Sequence, residues 1–135
     1  MPGRHTPRLA WRHGTEPTTR LRAPRDPHRP RTDVIAERSG IAHHALALVL
    51  GSGWGGAADL IGETVSEIPA AEVPGFHAPA VAGHVPVMRS IRLAGSERVA
   101  LVLGSRTHLY EGRGVRAVAH GMRTAWDSGA TQVVL

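Results

Sequence analysis

The 135-residue sequence contains no cysteine, which excludes a disulfide-stabilised scaffold and any metal site built on thiolates. Aromatic residues are scarce, with three tryptophans, one tyrosine and one phenylalanine. The longest apolar run, Ala45 to Leu50, has the length of a β-strand and is far too short to span a membrane. The sequence does not open with the basic and then apolar pattern of a secretory signal. We therefore expect a cytoplasmic protein with one folded domain and no membrane contact.

Positive charge is abundant, but it is concentrated in the first 31 residues. Eight arginines and two acids give this segment a net charge of +6, whereas residues 32–135 carry eight arginines and nine acids. The segment also holds six of the ten prolines, so we predict a disordered tail over 1–31 and a folded body over 32–135. A solvated extension, or a start codon assigned too far upstream, is preferred over an electrostatic tether to RNA, DNA or acidic lipid. Because the body is nearly neutral, no nucleic-acid partner is expected.

The folded body has the pattern of an α/β protein. Its predicted elements are a helix capped by Thr32 or Asp33 and ended by Gly40, a strand over 45–50, a short helical turn over 57–61, a hairpin of strands 85–93 and 98–103, a helix over 115–128 stopped by Gly129, and a buried strand over 131–135. An apolar strand such as 45–50 is typical of a sheet covered on both faces. A chain that stops on the last apolar residue of a strand is expected to be truncated.

A glycine-rich turn, Gly51-Ser52-Gly53-Trp54-Gly55-Gly56, directly follows the first predicted strand. It matches the dinucleotide fingerprint, but the helix after it would have only about five residues, too short for a parallel crossover of at least about ten. We therefore do not expect a nicotinamide cofactor. Outward-facing N–H groups and the Ser52 hydroxyl make the turn suitable for an anion, although a tight turn that needs glycine for its dihedral angles alone is an alternative.

A second polar segment follows the strand that ends at Leu103. Arg106 offers a planar fork for phosphate oxygens, and His108 lies two residues further on. Glu111 can hold either of them in position or fix the charge state of the histidine. Open α/β sheets place their ligands at the carboxyl ends of strands. Each residue alone is interpreted as an ordinary surface side chain, but together they predict an oxyanion site.

The nine histidines do not form a recognisable metal motif. No His-x-x-x-His pair and no helix-borne His-Glu pair is present, and the adjacent His43 and His44 would point apart on a strand. His84 stands before the hairpin at a hinge of the chain. We therefore expect no metal site.

Three segments resemble successive motifs of the trimeric purine nucleoside phosphorylase family. They are Gly51-Ser52-Gly53-Trp54-Gly55, Val81-Ala82-Gly83-His84, and Gly104-Ser105-Arg106-Thr107-His108-Leu109-Tyr110-Glu111-Gly112. The likeness runs from about Val34 to Leu135, and the last segment is the most specific, because the sister methylthioadenosine phosphorylases usually differ there. The resemblance implies a mixed central β-sheet flanked by helices.

The resemblance also implies roles for individual residues. Phosphate-binding positions are Ser52, His84, Arg106, Thr107 and His108; the ribose-binding position is Tyr110; the catalytic positions are His84 and Glu111. The implied reaction is phosphorolysis in purine salvage, which converts a purine nucleoside and phosphate to the free base and ribose 1-phosphate. Phosphate is then a co-substrate, no metal or organic cofactor is needed, and the assembly is a homotrimer.

The family's next motif would begin just after Leu135, and its base-recognition residues lie on later strands. The resemblance therefore covers the N-terminal half, with phosphate-binding positions and without the purine pocket, and it leaves the preferred base open. One hypothesis is the first part of a phosphorylase that cannot act alone. The other is a non-catalytic phosphate-binding or assembly fragment of the same fold. Exposed apolar edges predict poor solubility or association, which favours the first hypothesis.

Overall fold

The computed structural model describes residues 29–51, 53–76 and 86–135. In chain order, the strands are β1 (Leu46–Val49), β2 (Gly62–Pro69), β3 (Val87–Leu93), β4 (Val99–Leu103) and β5 (Val133–Val134). The α-helices are α1 (Arg29–Ser39), α2 (Gly114–Val118) and α3 (His120–Asp127), and the short 3-10 helices are Gly55–Leu60, Ala70–Glu72 and Leu109–Glu111. The described part is thus an α/β fold, as the sequence predicts.

The five strands form one mixed sheet in the order β2-β3-β4-β1-β5. β1 runs parallel to both β4 and β5, whereas β3 is antiparallel to its neighbours β2 and β4. The predicted hairpin is confirmed by β3 and β4, whose turn is closed by the Leu93 N–H donating to the Arg98 carbonyl at 2.9 Å. The mixed central sheet with flanking helices is the predicted architecture.

Helix α1 ends where the sequence predicts but begins earlier. Gly40 adopts a φ of +70° and its N–H donates to the Ala36 carbonyl at 2.9 Å, a left-handed ending that favours glycine. The helix begins at Arg29, three residues before the predicted cap at Thr32. Residues 29–31 of the predicted tail belong to α1, so the predicted boundary is wrong there. Residues 1–28 lie outside the described residues, and the disorder predicted for them stays a prediction.

The sheet separates a large core from a small one. The large core contains Ile35, Ala47, Val49, Ile68, Ala70, Val73, Met88, Leu101, Leu103, Ala125 and Ala130. Because Ile35 belongs to α1 and Ala125 to α3, these two helices cover that face. The small core on the other side consists of Ala58, Ile91 and Val102 with partly buried side chains around them. β1 contributes to both cores, as expected for a strand in a sheet covered on both faces.

The helix predicted over 115–128 is interrupted in the structure. Ala119 has a ψ of −9° instead of the α-helical value of about −42°, and it separates α2 from α3. The predicted apolar stripe is therefore wrong at three positions: Val115, Val118 and Trp126 are exposed, whereas Ala125 is buried. The predicted stop is confirmed, since Gly129 follows α3 with a φ of +98°.

The last strand is present but is not buried as predicted. β5 pairs with β1 at the end of the sheet, and Val133, Val134 and Leu135 are 39%, 54% and 77% exposed. An edge strand of two residues has a neighbour on one side only, which explains the exposure. Within the three described ranges, no helix combines the length and apolar character needed to cross a membrane.

Candidate phosphate site

The carboxyl ends of β1 and β4 lie side by side. Val49 is in register with Leu103, and the N–H of Leu50 donates to the Leu103 carbonyl at 3.0 Å. The two polar segments singled out in the sequence therefore leave the sheet from the same end of neighbouring parallel strands. This is where open α/β sheets hold ligands.

The turn after β1 is compact and does not lead into a parallel crossover. Gly53 has a φ of +84°, and the Trp54 N–H donates to the Gly51 carbonyl at 3.1 Å. The six-residue 3-10 helix Gly55–Leu60 then leads into β2, which is not adjacent to β1. This topology differs from the dinucleotide-binding unit, in agreement with the prediction from helix length. Ser52 lies outside the described residues.

The segment after β4 is organised by one carboxylate. His108 is extended, with a φ of −97° and a ψ of 149°, and it precedes the 3-10 helix Leu109–Glu111. Glu111 Oε1 accepts a hydrogen bond from the His108 backbone N–H at 2.7 Å. The sequence predicts that Glu111 holds Arg106 or His108, and the contact is with the His108 main chain. The carboxylate thus fixes the backbone beside the candidate ligands.

The His108 ring stacks on Tyr110 at the same place. The ring centroids are 4.9 Å apart and the planes differ by 11°. Tyr110 is 84% exposed, Arg106 is also exposed, and Thr107 and His108 are half-buried. Polar groups and one aromatic face are therefore accessible to a small ligand. The structure brings together His108, Tyr110 and Glu111, while His84 lies outside the described residues.

One charged neighbour of this segment was missed in the sequence. Arg113 Nε lies 3.6 Å from Glu111 Oε2, so the two carboxylate oxygens serve different partners. The signal was the opposite charge two residues after Glu111, with the positive-φ glycines Gly112 and Gly114 on either side of the arginine. The left-handed backbone at Gly112, which lies between the two residues, lets side chains so close in sequence meet.

A buried polar pair joins the segment just before β1 to the hairpin, and it was also missed in the sequence. His44 Nε2 lies 2.9 Å from Ser90 Oγ, and His44 Nδ1 is buried without a hydrogen-bond partner among the described residues. Burial, with a smaller contribution from His43, lowers the pKa of His44 from 6.5 to about 4. His44 is therefore neutral at pH 7. His43 is exposed, and in the described ranges no three acidic, histidine or cysteine side chains form a metal-binding group.

Relatives of the chain share both its sequence and its fold. The chain is 63% identical over 110 residues to the purine nucleoside phosphorylase of a Cellulomonas species, an alignment that covers 79% of the chain and 39% of the relative. It belongs to the purine nucleoside phosphorylase family. The phosphorylase of Mycobacterium leprae is 48% identical over 102 residues, which are 76% of this chain and 37% of that relative.

The solved structures agree with this family assignment. The purine nucleoside phosphorylase of Schistosoma mansoni in complex with inosine matches with a TM-score of 0.66 and 25% identity, over 78% of this chain and 35% of that one. No protein-family model matches the sequence. The chain spans 39% of the length of the Cellulomonas enzyme and 37% of that of the Mycobacterium leprae enzyme. The resemblance and the fold expected from it are confirmed.

Proposed function

We propose that this chain provides the phosphate-binding part of a purine nucleoside phosphorylase, an enzyme that transfers a pentosyl group from a purine base to phosphate. The observation that carries the proposal is the pairing of β1 with β4, since it puts the glycine-rich turn and the segment from Arg106 to Glu111 at one end of the sheet. Phosphorolysis is the leading reaction because the relatives are named purine nucleoside phosphorylase. The products are the free base and ribose 1-phosphate.

Phosphate would be held by charge and by hydrogen-bond donors. Arg106 supplies a guanidinium fork, Thr107 a hydroxyl, and His108 an imidazole next to a main chain that Glu111 fixes. The proposed phosphate set also includes Ser52 and His84, which lie outside the described residues. The exposure of Arg106 supports this proposal, because its charge is free to meet a dianion from solvent.

The reaction would use phosphate both as nucleophile and as counter-charge. Cleavage of the glycosidic bond develops positive charge on the sugar, and a dianion beside the anomeric carbon stabilises that charge. Holding the dianion in position for attack lowers the entropic part of the barrier. Tyr110 would contact the ribose, with His84 and Glu111 in the catalytic roles. Inorganic phosphate is the co-substrate, and no metal or organic cofactor is required by this scheme.

The proposal includes a homotrimeric assembly in the cytoplasm with a role in purine salvage. Exposed apolar side chains near the end of the chain support association: Trp126 on α3 is 70% exposed, and the two β5 valines are exposed as well. Burying such side chains against another chain would remove apolar area from water. A second copy of the chain is the proposed partner.

A non-catalytic phosphate-binding or assembly domain is the alternative. The share of its relatives that the chain spans favours this candidate, since the alignment covers only 39% of the Cellulomonas enzyme. The two proposals differ in the step after phosphate binding: only the first leads to cleavage of a nucleoside.

Phosphate-dependent cleavage of inosine, guanosine and adenosine by the purified chain separates the two, with calorimetric titration of phosphate beside it. Cleavage that disappears in Arg106→Ala supports the enzyme, and the ratio of the three rates gives its base preference. Binding without cleavage supports the alternative. The matched control is Arg98→Ala, an exposed arginine directly before β4, at the opposite end from Arg106. If the control abolishes binding as fully as Arg106→Ala, the proposed site is wrong.

A further inference from the structure

Glu111 lies between a main-chain donor and a cation. Its Oε1 accepts from the His108 N–H at 2.7 Å, and its Oε2 lies 3.6 Å from Arg113 Nε. The Arg113 and Glu111 side chains are 36% and 28% exposed, so the pair is partly screened from solvent. Among the described residues, Arg113 is the ion-pair partner found for Glu111. The arginine therefore restrains a carboxylate that in turn restrains His108.

The position of this carboxylate creates an electrostatic problem for a phosphate site. A negative side chain a few residues from the proposed phosphate ligands would repel a dianion, because like charges at short range disfavour one another. Arg113 offsets that charge without removing the hydrogen bond to His108. Counted from Gly104 to Val118, the segment carries three arginines against one glutamate. The ion pair leaves it electropositive.

We propose that Arg113 is a positioning residue of the phosphate site: it holds Glu111 against the His108 main chain and cancels the repulsion between that carboxylate and bound phosphate. This inference rests on the proposed function. It assigns no contact between Arg113 and the substrate. Gly112, which lies between the two residues and has a φ of +72°, lets the arginine approach the carboxylate.

Amide hydrogen exchange at His108 without phosphate tests the positioning step. Arg113→Gln should speed exchange of this amide about three- to fivefold, the scale of a partly exposed ion pair. Arg113→Lys should recover at least half of the protection, because it keeps the charge. Arg116→Gln is the matched control, with the same charge change at an exposed position of α2. Equal effects of the two glutamine variants, or none from Arg113→Gln, would overturn the proposal.

Titration with inorganic phosphate tests the electrostatic step. Arg113→Gln should weaken phosphate binding about three- to fivefold, and Arg116→Gln should do so less than twofold. In a Glu111→Gln background, Arg113→Gln should add little, since the carboxylate it acts through is gone. Full additivity of the two changes contradicts the proposal.

The two measurements separate failure of this inference from failure of the proposed function. If the unmodified chain binds no phosphate, the proposed function fails, and with it the electrostatic role, whatever His108 exchange shows. If phosphate binds and neither exchange nor affinity responds to Arg113→Gln, the proposed function stands and the positioning role is wrong.

Discussion

The sheet and the segment that follows β4 are built from different kinds of contact. Leu101 and Leu103 on β4 are 1% and 2% exposed, whereas Leu109, a few residues later, is 63% exposed. Contacts in the body join residues far apart in sequence, such as His44 with Ser90. The side-chain contacts described within the candidate site join residues two or three positions apart.

The two regions therefore have different roles: the body stabilises the fold, and the site segment positions the groups that would bind a ligand. Burial in the body supplies the free energy of folding, because it removes large apolar areas from water. The site segment adds little area and depends on one carboxylate, one ring stack and two glycines with positive φ. Changes in the body should therefore alter unfolding, and changes in the segment should alter binding with little effect on unfolding.

The largest effect is expected for a leucine on β4. Leu101→Ala should lower the free energy of unfolding by about 2–5 kcal/mol, since it leaves a cavity in the large core. Leu109→Ala deletes the same atoms from an exposed side chain and should change it by less than about 0.5 kcal/mol. Denaturant unfolding of both variants measures the difference. Equal losses would mean that the segment is packed as tightly as the sheet.

Acid should destabilise the body through His44. Its pKa is about 4 in the folded chain and about 6.5 when unfolded, so the unfolded state binds a proton first as the pH falls. Stability from neutral His44 is complete above pH 6.5 and is lost between pH 6.5 and pH 4, with little further change from this group below pH 4. The total loss should reach about 3 kcal/mol. Unfolding curves measured across this range check it.

Two variants isolate the His44 contribution to this pH dependence. His44→Gln keeps a donor for Ser90 but cannot titrate, so the loss between pH 6.5 and pH 4 should shrink. His43→Gln changes the exposed neighbour and should keep most of the loss, because burial is the main cause of the shift. The assignment is wrong if His44→Gln keeps the full pH dependence.

Ser90→Ala should have the next largest effect. Ser90 is 2% exposed and its Oγ lies 2.9 Å from His44 Nε2, so its removal leaves a second ring nitrogen of His44 without a partner. An unsatisfied buried polar group costs about 1–3 kcal/mol. Ser105→Ala, on the exposed start of the site segment, is the control and should cost less than about 0.5 kcal/mol. A neutral result for Ser90→Ala would show that the buried pair contributes no stability.

Local patterns in the sequence predicted most of the sheet. The apolar run at β1, the hairpin of β3 and β4, and the helix endings at Gly40 and Gly129 are all confirmed. Each depends on nearby residues: a continuous apolar run, a turn between two β-prone runs, or a glycine where φ becomes positive. The adjacency of the two polar segments depends on the parallel pairing of β1 with β4, which is a contact between distant parts of the chain.

Features that depend on tertiary packing were not predictable in the same way. The spacing of apolar residues predicted one helix over 115–128, but the helix is interrupted at Ala119. Val115 and Trp126, which were predicted to face the core, are exposed. β5 was predicted to be buried, but it is an edge strand of two residues with a neighbour on one side only, and it is exposed. At the site, sequence proximity identified Glu111, but its acceptor role toward the His108 main chain depends on the extended backbone at His108, which a residue pattern does not specify.

The smallest effect on stability is expected at the most exposed ring of the site. Tyr110→Ala removes the stack on His108, but the tyrosine is 84% exposed, so the free energy of unfolding should change by less than about 0.5 kcal/mol. The same variant should weaken nucleoside binding, since we propose a ribose contact there. Tyr110→Phe keeps the ring and should recover whatever part of binding comes from stacking rather than from the hydroxyl. Denaturant titration of Tyr110→Ala measures the change. If the free energy of unfolding falls by about 1 kcal/mol or more, the site segment contributes to the stability of the body, and the two regions do not have these separate roles.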